Sequence, residues 1–238
     1  MSFHATLDHA VITGSASGIG QALARRLLDA GWAVAGIDRQ ADAGIAHPAY
    51  RHHVCDLTDE SAIDALSAQL PKCVRALVHS AGVMRSGGAV DSRAEDIDLL
   101  WRLHGAAPLA LARLLVPRLP DASGRIVLVS SRAVLGRAHR AAYAASKAAQ
   151  IGLARSLAAE LIGRGITVNV VAPGAVDTPM LSDPSRGAPP KIDLPLGRLI
   201  RADEVAATIA FFLSPEAGAI TGQTLYVCGG ASIGAASA

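Results

Sequence analysis

Apolar residues fall along this chain in short, nearly continuous runs, separated by longer stretches in which they recur every three to four positions. The runs Ala10 to Thr13, Ala33 to Asp38, His53 to Cys55, Ala76 to Ser80, Arg125 to Ser130, Thr167 to Ala172 and Leu225 to Cys228 predict strands. The periodic stretches Ile19 to Ala30, Glu60 to Gln69, Ala94 to Val116, Ala141 to Ile162 and Asp203 to Leu213 predict helices. Strands so uniformly apolar have no wet face, so the pattern predicts a parallel sheet covered by helices on both sides. Right-handed crossovers then give a doubly wound, Rossmann-like α/β sheet of about seven strands. At 238 residues the chain holds one such domain, residues 1–238, and no comfortable second one. Ligands of such sheets bind beyond the carboxyl ends of the strands, where Gly14, Asp38, Ser80, Ser131 and Pro173 all fall.

The first run feeds Thr13-Gly14-Ser15-Ala16-Ser17-Gly18-Ile19-Gly20 and then a helical pattern. Strand, glycine turn and helix together suit a pyrophosphate: glycines allow close approach, and the free N–H groups and dipole of the helix start attract negative charge. Asp38 ends the next strand eighteen residues after Gly20. A carboxylate there accepts hydrogen bonds from both ribose hydroxyls of an adenosine and repels a 2′-phosphate. NAD is therefore the expected cofactor and NADP the less favoured one. Uncharged Ser17 points the same way, and Arg39 tempers it, because a guanidinium beside the ribose binds phosphate.

Tyr143 and Lys147 lie four residues apart in an Ala-rich helical stretch, so phenol and ammonium project from one face. A phenol has a pKa near 10, and bringing it down by about 3 units takes roughly 4 kcal/mol, part of which a neighbouring cation supplies.

Together these residues resemble the short-chain dehydrogenase/reductase family, over about Ala10 to Gly230. Thr13-Gly14-x-x-x-Gly18-x-Gly20 is similar to its cofactor loop, and Cys55-Asp56-Leu57-Thr58 to the segment whose Asp contacts adenine. Ser80-Ala81-Gly82 matches the end of the family's Asn-Asn-Ala-Gly strand. Gly124-Arg125-Ile126-Val127-Leu128-Val129-Ser130-Ser131 resembles the strand that delivers the catalytic Ser, which falls at Ser131. Asn169-Val170-Val171-Ala172-Pro173-Gly174-Ala175-Val176-Asp177-Thr178 resembles the Pro-Gly segment, with Thr178 at the nicotinamide carboxamide. Ile220-Thr221-Gly222-Gln223 and Gly229-Gly230 resemble the C-terminal signature. The resemblance implies catalysis by Ser131, Tyr143 and Lys147. It implies cofactor contacts from Gly14, Ser17, Gly18, Ile19, Gly20, Asp38, Asp56, Leu57, Ser80, Ala81, Gly82, Tyr143, Lys147, Pro173, Gly174, Val176 and Thr178. The implied reaction is hydride transfer between nicotinamide and a secondary alcohol or ketone. One rival is a 3-oxoacyl-carrier-protein reductase; another is a nicotinamide-binding regulator that has lost turnover.

Three departures from the family pattern stand out. Arg102 falls where the family has an Asn that holds a water of the proton relay, and an Arg cannot accept a hydrogen bond. Either the relay is built differently, the alignment slips by a residue, or catalysis is weakened. His79 replaces the second Asn of the Asn-Asn-Ala-Gly strand, with a neutral core histidine the expected role. Ser131 precedes Tyr143 by twelve residues, about one fewer than the family pattern.

Composition narrows the rest. A net charge of +2 gives no basic field for nucleic acid. Cys55, Cys73 and Cys228 sit far apart without Cys-x-x-Cys spacing, which suggests a reducing compartment and no structural zinc. His52 and His53 point to opposite faces of a strand, so no metal site is expected. No secretory signal and no bilayer-length apolar run is read, which places the protein in the cytoplasm without a membrane partner. Ala141 to Ile162 and Leu99 to Val116 carry more apolar surface than one sheet face buries, so a homotetramer or homodimer is expected, the family commonly forming tetramers through these helices. The Pro-rich stretch Met180 to Leu199 suits a mobile lid. Arg132, Arg137, His139 and Arg140, with Arg102, raise the option of an anionic substrate, set against ordinary solvated arginines.

Overall fold

Seven strands align in parallel, in the order β3-β2-β1-β4-β5-β6-β9. They are β1 (His9–Thr13), β2 (Ala33–Asp38), β3 (Tyr50–Val54), β4 (Ala76–His79), β5 (Arg125–Val129), β6 (Thr167–Pro173) and β9 (Thr224–Val227). A separate parallel pair joins β7 (Val176–Asp177) to β8 (Ile200–Arg201). The computed structural model describes residues 7–183 and 194–233. The expected lid at Met180 to Leu199 therefore lies partly outside the described residues, as do most of the positions before Asp8.

Side-chain alternation along each strand divides the interior into two cores. Val11, Leu77, Ile126, Leu128, Val168 and Val170 face Leu111 and Leu115 of α4 (Ala107–Leu115) and Leu157 and Leu161 of α5 (Ala141–Leu161). Ala10, Ile12, Ala76, Val78, Val127, Val129 and Val171 face Leu23 and Leu27 of α1 (Gly18–Asp29) and Ile209 and Phe212 of α6 (Ala202–Leu213). Each such leucine or phenylalanine removed from water contributes about 1.5–3 kcal/mol, so neither layer can be spared. α2 (Glu60–Ala65) begins on Asp59, whose carboxylate accepts from the backbone N–H groups of Ser61 and Ala62.

Sheet order reverses between β1 and β4, and the crevice opens at that switch point, at the strand carboxyl ends. Predicted elements agree with this architecture apart from the β7–β8 pair, which no apolar run predicted, and two further differences. β3 begins at Tyr50 rather than His53, because this edge strand is polar on its open face and hides its period. The single helix expected over Ala94 to Val116 is three pieces: α3 (Ala94–Trp101), a wide π turn (Arg102–Ala106) and α4.

Pro108 explains the break. It has no N–H for the His104 carbonyl, and its ring crowds that carbonyl, so the ladder widens and the Ala107 N–H donates to Arg102 O instead. By length and composition alone Ala94–Arg118 passes as a membrane span, with mean hydropathy 1.3. The apolar face that α4 packs on the sheet accounts for that hydropathy, as a core helix of a layered domain does.

Candidate active site

A cavity of about 1270 Å3 runs along the strand ends. Every residue that the family resemblance assigns to cofactor or catalysis lines it: the loop Gly14, Ser17, Gly18, Ile19 and Gly20; Asp38; Asp56 and Leu57; Ser80, Ala81 and Gly82; Ser131, Tyr143 and Lys147; and Pro173, Gly174, Val176 and Thr178.

At one end the walls are mostly backbone. Gly14 has φ of +69°, and a Cβ there would lie 2.9 Å from the Ala81 backbone N. A Cβ on Gly20 would lie 2.1 Å from the Gly14 carbonyl, so helix α1 can start against the strand only without one. Asp38 is buried, one carboxylate oxygen accepting from Ala16 N at 3.1 Å and the other from Gln40 N at 3.0 Å. Asp56 accepts from the N–H and hydroxyl of Thr58, which turns the chain toward the same wall. Glycine cradle, helix N-terminus and fixed carboxylate suit a dinucleotide, so the residues present fit an NAD-type cofactor.

At the other end the walls are side chains. Ser131 lies two residues beyond β5, and its Oγ accepts from Ala133 N at 3.1 Å, which leaves the hydroxyl proton to donate. Tyr143 and Lys147 sit on the first turns of α5, both buried. Ser130 Oγ donates to the Lys147 carbonyl at 2.7 Å and ties this helix to the sheet. Lys147 Nζ donates to Val129 O at 2.8 Å, with Gln150 Oε1 at 3.5 Å. Burial pushes the Lys147 ammonium down to about 7. A phenolate on Tyr143, one helical turn away, would favour the ammonium again.

Behind this pair lie residues that sequence reasoning passed over or left open. His79 is fully buried. Thr13 Oγ1 accepts from Ser80 N and Ala81 N, so its one proton goes to His79 Nδ1 at 3.0 Å. His79 Nε2–H then donates to Leu103 O at 3.0 Å. That carbonyl has lost its helical partner, since the Ala107 N–H is taken and Pro108 has none. His79 is thus a neutral core histidine, as expected; burial first, and the Lys147 charge second, hold it down to about 3.

His104 is also fully buried, and Pro108 four residues on was the signal that could have found it. Arg102 does not enter the cavity: its side chain is 57% exposed and pairs with Asp98 at 2.8 Å. Arg102 is therefore not directed at the site as the family spacing placed it.

Arg85, Arg132, Arg137 and Arg140 line the cavity on the Ser131 and Tyr143 side. Arg85 pairs with Asp96 and Arg132 donates to Ala231 O.

Known proteins are similar to this chain over nearly its whole length. The family model described as Enoyl-(Acyl carrier protein) reductase matches residues 14–232. The BbsD subunit of a hydroxy(phenyl)methylsuccinyl-CoA dehydrogenase from Thauera aromatica is 35% identical, over 94% of this chain and 96% of its own. A 3-oxoacyl-acyl-carrier-protein reductase of Escherichia coli is 35% identical, over 93% of this chain and 96% of its own. Among solved structures, a 3-ketoacyl-acyl-carrier-protein reductase from Brucella melitensis complexed with NADH superposes with a TM-score of 0.86 at 29% identity, covering 94% of this chain and 98% of that one. A glycine-floored dinucleotide crevice, joined to this likeness over nearly the whole chain, makes the protein a member of the short-chain dehydrogenase/reductase family, an NAD(P)-dependent oxidoreductase acting on CH–OH or keto groups.

Proposed function

We propose that the protein interconverts a small secondary alcohol and its ketone with NAD, using Tyr143 as acid/base. When bound, nicotinamide supplies the position that takes up or gives the hydride. Ionised Tyr143 removes the hydroxyl proton during oxidation, and neutral Tyr143 returns one during reduction. Ser131 gives its free proton as a hydrogen bond to the substrate oxygen, where negative charge develops. Lys147 favours the phenolate and bonds the nicotinamide ribose. The observation that carries this reading is that Ser131, Tyr143 and Lys147 share one cavity with the glycine loop.

NAD over NADP rests on Asp38, whose two oxygens are fixed by backbone N–H groups and whose charge repels a 2′-phosphate. A homotetramer, with a homodimer as the smaller form, is supported by apolar side chains left in water on two separate regions. Ile97, Trp101 and Leu109 are exposed on α3 and α4; Phe211 and Leu225 are exposed on α6 and the edge strand β9. Two different patches are what a dimer of dimers requires. A cytoplasmic setting is supported by three unpaired cysteines.

A second reading, reduction of a 3-oxoacyl thioester, is supported by the names of the relatives and by Arg132, Arg137 and Arg140 at the cavity's substrate end. The third, a regulator without turnover, is motivated by Arg102, which faces solvent and leaves Ser131, Tyr143 and Lys147 together in the cavity as support for turnover. Turnover of a panel of secondary alcohols, simple ketones and acetoacetyl-CoA, each with NAD(H) and NADP(H), tests all three. Turnover of simple alcohols with NAD supports the first, turnover confined to the thioester supports the second, and cofactor binding with no turnover supports the third.

A further inference from the structure

His104 belongs to no motif, yet it is a wholly buried titratable group that touches both halves of the catalytic helix turn. Its Nε2 accepts from Val83 N at 3.2 Å, so the proton sits on Nδ1. Nδ1–H then donates to Ser146 Oγ at 2.9 Å, and Ser146 Oγ passes its own proton to the Tyr143 carbonyl at 2.9 Å. The imidazole also stands edge-on to the Tyr143 ring, 5.7 Å between centroids and 81° between planes. A Cβ on Gly82 would lie 3.1 Å from His104 Nε2 and 3.3 Å from Lys147 Nζ, so the imidazole and the ammonium close over the same glycine. One ring thus stands against the Tyr143 side chain and is tied through Ser146 to the Tyr143 carbonyl.

The resemblance to the family puts an asparagine on this helix, and by spacing Arg102 stands in its place. With the π turn that Pro108 forces, Arg102 faces solvent and His104 is buried beside Tyr143, behind the cavity wall.

We propose that His104 is a positioning residue that holds Tyr143 and Lys147 in their working relation, replacing in this chain the asparagine of the related enzymes. It rests on the reading of Tyr143 and Lys147 given above. The titratable groups around it are His79 from β4 and Lys147 and Tyr143 from α5. Both imidazoles are fixed as neutral tautomers by their hydrogen bonds, so neither adds a positive charge that would drive the proton off Lys147. Loss of the Ser146 link would loosen the turn that carries the phenol and Lys147. That change makes Tyr143 ionise at higher pH.

The test needs no substrate. The protein has three tyrosines, and NMR of ring-carbon-labelled tyrosine, with Tyr143→Phe to assign the signal, follows the phenol through its titration. His104→Phe keeps the ring and removes its nitrogens; the Tyr143 midpoint is expected to move up by about one pH unit. His104→Asn retains an acceptor for Val83 N–H and a donor for Ser146, and is expected to bring the midpoint most of the way back. If His104→Phe does not fold, Ser146→Ala cuts the same chain of hydrogen bonds and is expected to shift the midpoint in the same direction. An unmoved midpoint in a folded variant, even one with a lower melting temperature, overturns the proposal, as does failure of the asparagine to restore it. Full turnover in Tyr143→Phe would instead break the acid/base reading and leave the titration of His104 variants to be judged separately.

Discussion

The two ends of the cavity are built by opposite means. The adenosine end is backbone: glycines without side chains, free N–H groups at the start of α1, and one carboxylate held by two more N–H groups. The nicotinamide end is side chains packed in a dry interior, where Thr13, His79, His104, Ser146, Lys147 and Gln150 are all buried. The first end is sensitive to volume, because a Cβ added at Gly14 or Gly20 meets backbone that cannot move. The second is sensitive to polarity and proton count, because the buried His79, His104 and Lys147 each hold a donor or acceptor role fixed by a named partner.

Adding volume at the backbone end has the largest expected effect. Gly20→Val places its Cβ against the Gly14 carbonyl, and urea unfolding is expected to show a loss of at least about 3 kcal/mol. A variant as stable as the wild type, still binding NADH, would show that the loop is not the rigid cradle described here.

Acid sharpens the comparison from the other end. His79 ionises near pH 6.5 when unfolded and near 3 when folded, so between these values the unfolded chain binds the extra proton. The stability it contributes is therefore complete above 6.5 and falls by about 1.4 kcal/mol per pH unit as pH drops toward 3. His104, also held well below its usual value by burial, adds in the same direction. Urea midpoints measured across this window should fall steadily, and His79→Asn should flatten the curve; an identical slope in that variant would remove His79 from the explanation.

Next in size is Asp38→Ala. Its NAD(H) over NADP(H) preference, read from the two KM values, is expected to shrink by about tenfold, the equivalent of roughly 1.4 kcal/mol. An unchanged ratio would put cofactor choice elsewhere in the loop. The smallest effect belongs to Arg102→Ala. An exposed i,i+4 pair contributes about 0.3–0.5 kcal/mol, so kcat/KM and stability should stay within about twofold of the wild type.

What could be read from the sequence follows the same division. Glycine positions, Asp38 and the strand runs were legible because backbone requirements leave short local signatures, and most predicted strand ends fall within a residue or two of those observed. The Ala94 to Val116 helix was read as continuous because its apolar period runs through Pro108 without interruption, and a proline's effect on the carbonyl four residues back is invisible to that period. With the break missed, Arg102 was aligned inward and His104 was overlooked. The β7–β8 pair was also missed, since two-residue strands have no period to detect. Gln150 gave no signal either: it lies in a helix whose neighbours are alanines, and only packing shows its amide oxygen turned toward Lys147.

The central claim is that Tyr143 moves the proton while the rest of the cavity binds the cofactor. NADH affinity and steady-state turnover measured side by side on Tyr143→Phe test it most directly. The account predicts an NADH Kd within about threefold of the wild type and a fall in kcat of at least about 100-fold. Wild-type turnover in that variant, at the same affinity, would contradict it.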